Sequence, residues 1–352
     1  KEDALNYLLN IKTVASFKAE LNVINGVFSF IISLEDTICI ASDLTRSFPL
    51  FYTIQKGKLF LSDDILHLKK QFTIDDFDKI SEIELKASNH THGKKTLLKN
   101  VFQVQASEYL IINNDEVIDR NFFFTYAIEK ESSDSYSSLK NKTIITFNNV
   151  FKRFIDSLNN RTIVVPLSGG FDSRLIAIML KKYNYKNVVC YTYGRKDSFE
   201  IENSQKTAKT LNFEWHFIEY KDDLISDFLI TDEFKDYAHF AGKLSSMPNL
   251  QEYFAVKHLK KQKLISNDAI FVPGYAGDLL GGSQFLKVIP ENLKQEQIAD
   301  LVIRKKFSNY PLSKTEKKTI KNQVEQNLFH FDENYVKKIP SSVFEDYDIK
   351  EK

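Results

Sequence analysis

The stretch from Val164 to Ser173 reads VVPLSGGFDS and decides the fold. Its first four residues are typical of a buried strand, and a helix is expected to begin near Asp172, so the order is strand, tight turn, helix. The adjacent glycines, Gly169 and Gly170, let the backbone approach a phosphate without a Cβ in the way. Free N–H groups of the first helical turn add donors and a partial positive charge. The turn is therefore suited to hold an anion.

The polar side chains of this turn indicate a phosphate that carries a metal ion. Ser168 and Ser173 can add hydroxyl donors. Asp172 would repel bare phosphate, so its carboxylate is best explained as a ligand of Mg²⁺ beside the phosphate. The plainer alternative is that Gly-Gly ends a strand and Asp or Ser caps a helix with no ligand. The pattern is not a Walker A loop, which would place Lys and then Ser or Thr after its second glycine.

The chain around this turn alternates between helix and strand, which predicts βαβ units and a parallel sheet covered by helices. A further strand over 269–273 precedes a second glycine-bearing turn, and lysine-rich helices follow to Lys352. The predicted elements in this half are helix 139–158, strand 162–167, helix 172–183, strand 188–193, helix 200–211 and strand 215–219. The SGGFDS turn then falls at the carboxyl edge of the sheet, where such folds bind ligands.

The first half of the chain has a different pattern, in which short predicted strands are separated by turns. Their spacing of roughly ten residues predicts a smaller, largely antiparallel β domain. These strands are expected over 27–34, 38–42, 48–53, 58–61 and 108–112. The polar stretch 129–138 lacks periodicity and is interpreted as a linker. The predicted organisation is therefore a domain over 1–128, a linker over 129–138 and an α/β domain over 139–352.

Composition narrows the class of protein. A chain of 352 residues with 43% hydrophobic residues can bury a large core, and its length favours two domains. Its 48 basic and 47 acidic residues nearly cancel, which argues against nucleic acid or an anionic membrane as a partner. No apolar run reaches the roughly 20 residues that a membrane span needs. Cys39 and Cys190 lie in apolar strand-like runs and are expected to be buried thiols, which suits a reducing cytoplasm.

SGGFDS resembles the PP-loop of ATP pyrophosphatases, an adenine nucleotide α-hydrolase-like fold, and later residues narrow the resemblance to the asparagine synthetase family. The stretch 273–282 reads PGYAGDLLGG and is similar to the family's second glycine-rich turn. Asp278 matches the aspartate of that turn, whereas Leu279 stands where the family usually has glutamate. Altogether the resemblance covers roughly residues 20 to 285.

This resemblance implies a binding site for ATP and Mg²⁺. Asp172 and Asp278 would together hold Mg²⁺ on the pyrophosphate of ATP. Leu167 and Tyr193, at neighbouring strand ends, would bracket the nucleotide. The pyrophosphate and the rest of the nucleotide would contact loop residues Ser168, Gly169, Gly170, Ser173, Gly274, Gly281 and Gly282.

The first half also resembles the glutaminase domain of the same family, an N-terminal nucleophile hydrolase-like fold. Residues 25–30 (NGVFSF) and 42–52 (SDLTRSFPLFY) carry this likeness. Glutamine hydrolysis in such domains needs a cysteine as the first residue, whose own α-amine is the base. Residue 1 is Lys1, so the domain is expected to be incomplete or degenerate, and glutamine or ammonia is a possible nitrogen source.

The function implied is an ATP-dependent ligase that adenylates a carboxylate and transfers an amine to it, as in asparagine biosynthesis. The altered second turn leaves open a larger carboxylate than aspartate, such as a sugar acid or a peptide. A catalytically inactive nucleotide-binding partner subunit is the rival from another class, and a homo-oligomer is possible. The acid/base residue is open: Tyr237, Glu252 and Lys287 are weak candidates, for which surface or core placement is the plainer interpretation.

Overall fold

The computed structural model describes residues 8–281, 295–329 and 338–351. Contacts between residues divide the described chain into two compact units. The first unit comprises the described residues of Lys1–Glu131, Asp236–Pro248 and Leu286–Lys352, and the second comprises Ser132–Lys235 and Asn249–Phe285. These units are interleaved along the chain, whereas the predicted domains are contiguous, and the boundaries over 1–128 and 139–352 stay a prediction.

The first unit contains two antiparallel sheets within its described residues. One has the order β1-β2-β6-β7 and the other the order β4-β3-β5. The strands are β1 (Ser29–Leu34), β2 (Thr37–Ser42), β3 (Phe51–Gln55), β4 (Lys58–Ser62), β5 (Val101–Gln103), β6 (Glu108–Asn113) and β7 (Glu116–Phe122). The expected antiparallel character is therefore confirmed. β5 and β7 were not predicted, because a three-residue strand and a half-exposed strand give little alternation.

Alternation along β2 explains how the four-stranded sheet buries both of its faces. Cys39 and Ala41 face a cluster that includes Phe17, whereas Ile40 faces a second cluster that includes Tyr52 of the other sheet. Side chains two residues apart share one face of a strand, so this separation follows from the backbone. Cys39 and, in the second unit, Cys190 are buried free thiols, as predicted.

Three helices of the first unit were missed from sequence. They are α1 (Val14–Leu21), α2 (Ile65–Phe72) and α3 (Lys79–Ser88). Each begins after a side chain that accepts a hydrogen bond from a backbone N–H of its first turn, and these capping residues are Thr13, Asp64 and Asp78. Helices of eight to ten residues contain too few turns for a clear apolar period. The sequence therefore predicted only strands in this part of the chain.

The second unit contains a parallel sheet with the order β10-β9-β8-β11, which confirms the predicted fold class. Its strands are β8 (Ile163–Pro166), β9 (Val188–Gly194), β10 (Glu214–Glu219) and β11 (Ile270–Phe271). β9 and β11 flank β8 on opposite sides, so the strand order reverses at β8. In open α/β sheets the crevice at such a reversal, beyond the carboxyl ends of the strands, is the usual place for a ligand.

Helices of the second unit cover both faces of its sheet. They are α4 (Tyr136–Asp156), α5 (Phe171–Lys182), α6 (Phe199–Leu211), α7 (Asp222–Ile225), α9 (Tyr253–Lys261) and α10 (Gly277–Leu280), and α8 (Asp232–Gly242) continues into the first unit. Ala177 of α5 and Ala208 of α6 pack with Val165 on one face. Ala255 and Leu259 of α9 pack on the other face. None of the described helices is long and apolar enough to span a bilayer.

α4 begins at Tyr136, inside the stretch 129–138 that was expected to be a linker, and the bounds of that linker stay a prediction. Ser135 occupies the capping position, and its hydroxyl accepts a hydrogen bond from the backbone N–H of Ser138 at 3.3 Å. A serine followed by helix-forming residues is a start signal that outweighs the polar composition of the stretch.

The C-terminal helices of the first unit enclose a buried polar cluster. They are α11 (Gln295–Lys306), α12 (Lys314–Phe329) and α13 (Pro340–Glu351). The imidazole of His92 lies 2.7 Å from the Tyr347 hydroxyl and 2.8 Å from the Ser88 hydroxyl. The carboxylate of Glu84 accepts the backbone N–H of His92 at 3.0 Å. Burial raises the pKa of Glu84 to about 8, although this hydrogen bond opposes the shift.

Glu84→Gln tests whether this buried carboxylate sets a pH dependence of stability. The folded pKa exceeds the ordinary value of 4.5, so the folded state holds the proton more tightly than the unfolded state. The free energy of unfolding should therefore fall as pH rises from 4.5 to 8, by about 1.4 kcal/mol for each pKa unit of difference. Glu84→Gln should remove most of this fall in urea unfolding series between about pH 5 and about pH 9. Glu82→Gln in the same helix is the matched control, and equal pH slopes for wild type and Glu84→Gln would contradict the account.

Candidate functional site: a nucleotide cleft at the sheet edge

The SGGFDS turn leaves the sheet from a strand end that hydrogen bonds to β9 hold in place. The backbone N–H of Leu167 donates to the carbonyl of Tyr191 at 2.8 Å, which extends the pairing of β8 and β9 beyond Pro166. The hydroxyl of Thr192 donates to the carbonyl of Leu167 at 2.7 Å. Thr192 in turn accepts the indole N–H of Trp215 at 3.0 Å. Leu167, the residue before the turn, is therefore fixed at both its N–H and its carbonyl.

Two serine hydroxyls brace the turn from within. Ser173 Oγ accepts the backbone N–H of Ser168 at 3.1 Å, and Ser168 Oγ accepts the backbone N–H of Gly170 at 3.2 Å. The two hydroxyl oxygens are also 3.1 Å apart, so one of them donates to the other. Each hydroxyl has one proton. The serine that donates uses its proton within the loop, and the proton of the other serine is left to donate to a ligand. Both serines thus shape the loop, and one keeps a donor.

The helix that follows begins without a side-chain cap. Gly170 is the capping residue of α5, and no side chain accepts the first N–H groups of the helix. These groups belong to Phe171, Asp172 and Ser173, and they need acceptors from outside the helix. A 12-residue helix with an uncapped start at the edge of a parallel sheet is a favourable anion site. This geometry is what the sequence predicted for the turn.

The second glycine turn lies directly against the first. β11 pairs with β8 in parallel, so the two turns leave neighbouring strands at the same edge. A Cβ placed on Gly274 would lie 2.5 Å from the backbone nitrogen of Ser173. A Cβ on Gly277 would lie 2.3 Å from Cγ of Asp172. Both positions therefore exclude any side chain, and Gly277 brings the chain against the Asp172 carboxyl one residue before Asp278.

Both turns open into a cleft with a volume of about 690 Å³. Seven of the predicted nucleotide-site positions line it: Leu167, Ser168, Gly170, Asp172, Ser173, Tyr193 and Gly274. Glu252, a weak candidate for the acid/base residue, lines it as well. Gly169 packs beneath the loop, where a Cβ would lie 3.2 Å from Cα of Glu200. The structure therefore gathers most of the predicted residues around one cavity.

Other predicted residues are not among the described lining of the cleft. Tyr237 falls in Asp236–Pro248, which belongs to the first unit, and is not among the described cleft residues. Gly281 is exposed, and its N–H bonds to the carbonyl of Gly277 at 2.7 Å. The side chain of Asp278, and Gly282 and Lys287 entirely, lie outside the described residues. The roles proposed for these positions stay predictions.

The sequence reading missed several aromatic residues that line the cleft. Tyr220 directly follows β10, so the rule that selected Leu167 and Tyr193 at strand ends would also have selected it. Phe228 and Phe254 come from segments with no recognisable motif, and no signal in one sequence marks them. Burial is the main cause that raises the pKa of Tyr193 to about 12, and the charges of Glu252 and Glu200 add to it. Burial likewise raises the pKa of Glu252 above its usual range.

Comparison with known families agrees with the geometry of this cleft. Residues 157–287 match the family model described as asparagine synthase. This part of the chain therefore matches a domain of the PP-loop ATP pyrophosphatase type, which confirms the resemblance of SGGFDS. Domains of this class occur in ATP-dependent enzymes that form carbon–nitrogen bonds.

A shorter match links the chain to a curated protein. A stretch of 63 residues is 38% identical to 7-cyano-7-deazaguanine synthase from Sulfurihydrogenibium sp. (strain YO3AOP1). The match covers 17% of this chain and 28% of that protein, so the chain spans little more than a quarter of the relative's length.

Two solved structures resemble the chain only distantly. NH3-dependent NAD synthetase from Campylobacter jejuni, in complex with the nitrate ion, is 14% identical with a TM-score of 0.26, over 54% of this chain and 95% of its own. Glutamine-dependent NAD+ synthetase from Acinetobacter baumannii, in complex with ADP, is 13% identical with a TM-score of 0.25. That match covers 92% of this chain and 84% of the synthetase chain. Scores this low support no inference about this chain.

Gly274→Ala tests the contact between the two turns. The new methyl group would lie 2.5 Å from a backbone nitrogen, which cannot move aside as a flexible side chain can. We expect the affinity for Mg·ATP, measured by isothermal titration calorimetry, to fall by at least about tenfold, because the loop must shift. Gly242→Ala is the matched control, since its nearest neighbour would be an ordinary contact of 3.8 Å from Pro248. Unchanged ATP affinity in Gly274→Ala would show that the contact is not needed for nucleotide binding.

Proposed function

We propose that this chain is an ATP-dependent amide-forming ligase, which adenylates a carboxylate and transfers an amine to it. The observation that carries the proposal is the meeting of the uncapped start of α5 with the glycine turn after β11. An anion site alone could hold any phosphate, but the family match to asparagine synthase favours ATP cleaved between its α- and β-phosphates.

In the first step, an oxygen of the substrate carboxylate attacks the α-phosphorus of ATP. The bond from the α-phosphorus to the bridging oxygen breaks, and pyrophosphate leaves with that electron pair. Backbone N–H groups of Phe171 and Asp172, with the remaining serine hydroxyl proton, would donate to the leaving pyrophosphate. These donors are fixed in place before ATP arrives, which is what makes them effective.

Asp172 is the residue in the described site that fits a magnesium ion. Its carboxylate is exposed at the cleft, next to the uncapped N–H groups and against Gly277. Asp278 is the proposed second ligand. When bound, Mg²⁺ supplies positive charge that neutralises the phosphates during transfer.

In the second step, an amine nitrogen attacks the acyl carbon, and the bond to the AMP oxygen breaks. AMP and the amide are released. The carboxylate is proposed to be aspartate or a larger acid such as a sugar acid or peptide, and the nitrogen could come from glutamine, ammonia or another amine. Glu252, half-buried beside Tyr191, is the proposed acceptor of a proton from the amine in this step.

The test is exchange of labelled pyrophosphate into ATP in the presence of a carboxylate, with aspartate, glucuronate and short peptides as the acids. Wild type should exchange with at least one acid, and Asp172→Asn should lower the rate by at least about 100-fold. Asp156→Asn, which changes an exposed aspartate at the end of α4, should leave the rate unchanged.

Equal exchange by Asp172→Asn and wild type would contradict the role given to this carboxylate. ATP binding without exchange for any acid in the panel would overturn the ligase proposal and identify a nucleotide-binding subunit instead.

A further inference from the structure

One wall of the cleft is a continuous series of aromatic rings. The ring centroids of Tyr191 and Tyr193 lie 6.2 Å apart, and those of Tyr193 and Tyr220 are stacked at 5.0 Å. Phe254 continues the series at 6.0 Å from Tyr220, and Phe228 lies 4.8 Å from Phe254. Tyr191, Tyr193 and Tyr220 pack with the cluster under α9, on the opposite face of the sheet from α5 and α6. This wall is therefore distinct from the phosphate loop.

The charged residues among the described lining of the cleft are all acidic. Its described lining includes the carboxylates of Asp172, Glu200 and Glu252, and this part of the lining contains no lysine, arginine or histidine. A second carboxylate on the substrate would be repelled by these acidic side chains, and these lining residues offer no positive charge to pair with it. A substrate with a positive charge would meet an attractive field, since the faces of tyrosine and phenylalanine rings also favour cations.

Glu252 is the acidic residue that borders the aromatic wall. It is half-buried, and the Tyr191 hydroxyl approaches it at 3.4 Å, which is a long and weak hydrogen bond. No ion pair to Glu252 occurs among the residues that the structure describes. Its charge is also a cause, after burial, of the raised pKa of Tyr191 and Tyr193. Burial removes some of the hydrogen bonds that a carboxylate makes with water. A cationic ligand would replace them and stabilise the charged form.

We infer that this wall binds a primary amine carried on an apolar or aromatic frame, with its ammonium group paired to Glu252 and its frame against Tyr220 and Phe254. This placement leaves Tyr193 to the nucleotide. The inference rests on the proposed function, in which this amine is the nitrogen donor in place of free ammonia. The ammonium passes one proton to the Glu252 carboxylate, and the neutral nitrogen attacks the acyl carbon. AMP leaves with the electron pair of the broken carbon–oxygen bond, and the second proton is released to water as the amide forms. The ammonium contributes charge complementarity, and the frame buries against rings that are already in contact with one another.

The experiment measures the binding of three probes of similar shape by isothermal titration calorimetry near neutral pH. The probes are phenethylamine, which is a cation, 3-phenylpropionamide, which is neutral, and 3-phenylpropionate, which is an anion. Wild type should bind phenethylamine at least about tenfold more tightly than either of the others. Glu252→Gln should reduce that preference by about tenfold, whereas Glu202→Gln, an exposed change on α6, should preserve it.

Equal binding of the three probes by wild type, or an undiminished preference in Glu252→Gln, would overturn the inference. The wild-type comparison decides the question even if Glu252→Gln does not fold. Pyrophosphate exchange on the same samples separates this inference from the proposed function. Exchange without a preference for the amine overturns the amine site alone. A preference for the amine without exchange supports the site and removes the ligase proposal.

Discussion

The close approach of the second glycine turn to the first turn of α5 is the contact on which the site depends. Gly274 touches the backbone of Ser173, and Gly277 touches the carboxyl group of Asp172, at distances that leave no room for a Cβ. The parallel pairing of β8 with β11 makes this possible, because both turns then leave the sheet at the same edge. Two parts of the chain about a hundred residues apart therefore build one wall of a single cleft.

Rigidity around this contact comes from hydrogen bonds that need no ligand. Thr192 holds the carbonyl of Leu167, and the hydroxyls of Ser168 and Ser173 hold the N–H groups of the loop. The loop is thus shaped in advance, and the uncapped N–H groups of α5 are the donors left for an incoming anion. Fixed donors cost little reorganisation when a phosphate binds, which suits a site for pyrophosphate.

Much of this site could be predicted because a strand, two glycines and a helix follow one another without interruption. Predicted β8 and α5 agree with the structure to within one residue at each end. Short helices such as α1 and α2 were missed because eight residues hold only two turns of apolar pattern. The aromatic wall was missed for a different reason. Its rings come from four separate segments, and only the folded sheet brings Tyr193, Tyr220 and Phe254 together.

The central claim is that Asp172 and Asp278 hold one metal ion against the pyrophosphate of a nucleotide bound to the SGGFDS loop. The most direct measurement is a crystal structure with α,β-methylene ATP and Mn²⁺, in which anomalous scattering locates the metal. The account predicts one manganese ion bonded to both carboxylates and to phosphate oxygens, with the phosphates on the N–H groups at the start of α5. Manganese bound away from these carboxylates, or a nucleotide whose phosphates lie outside the loop, would contradict it.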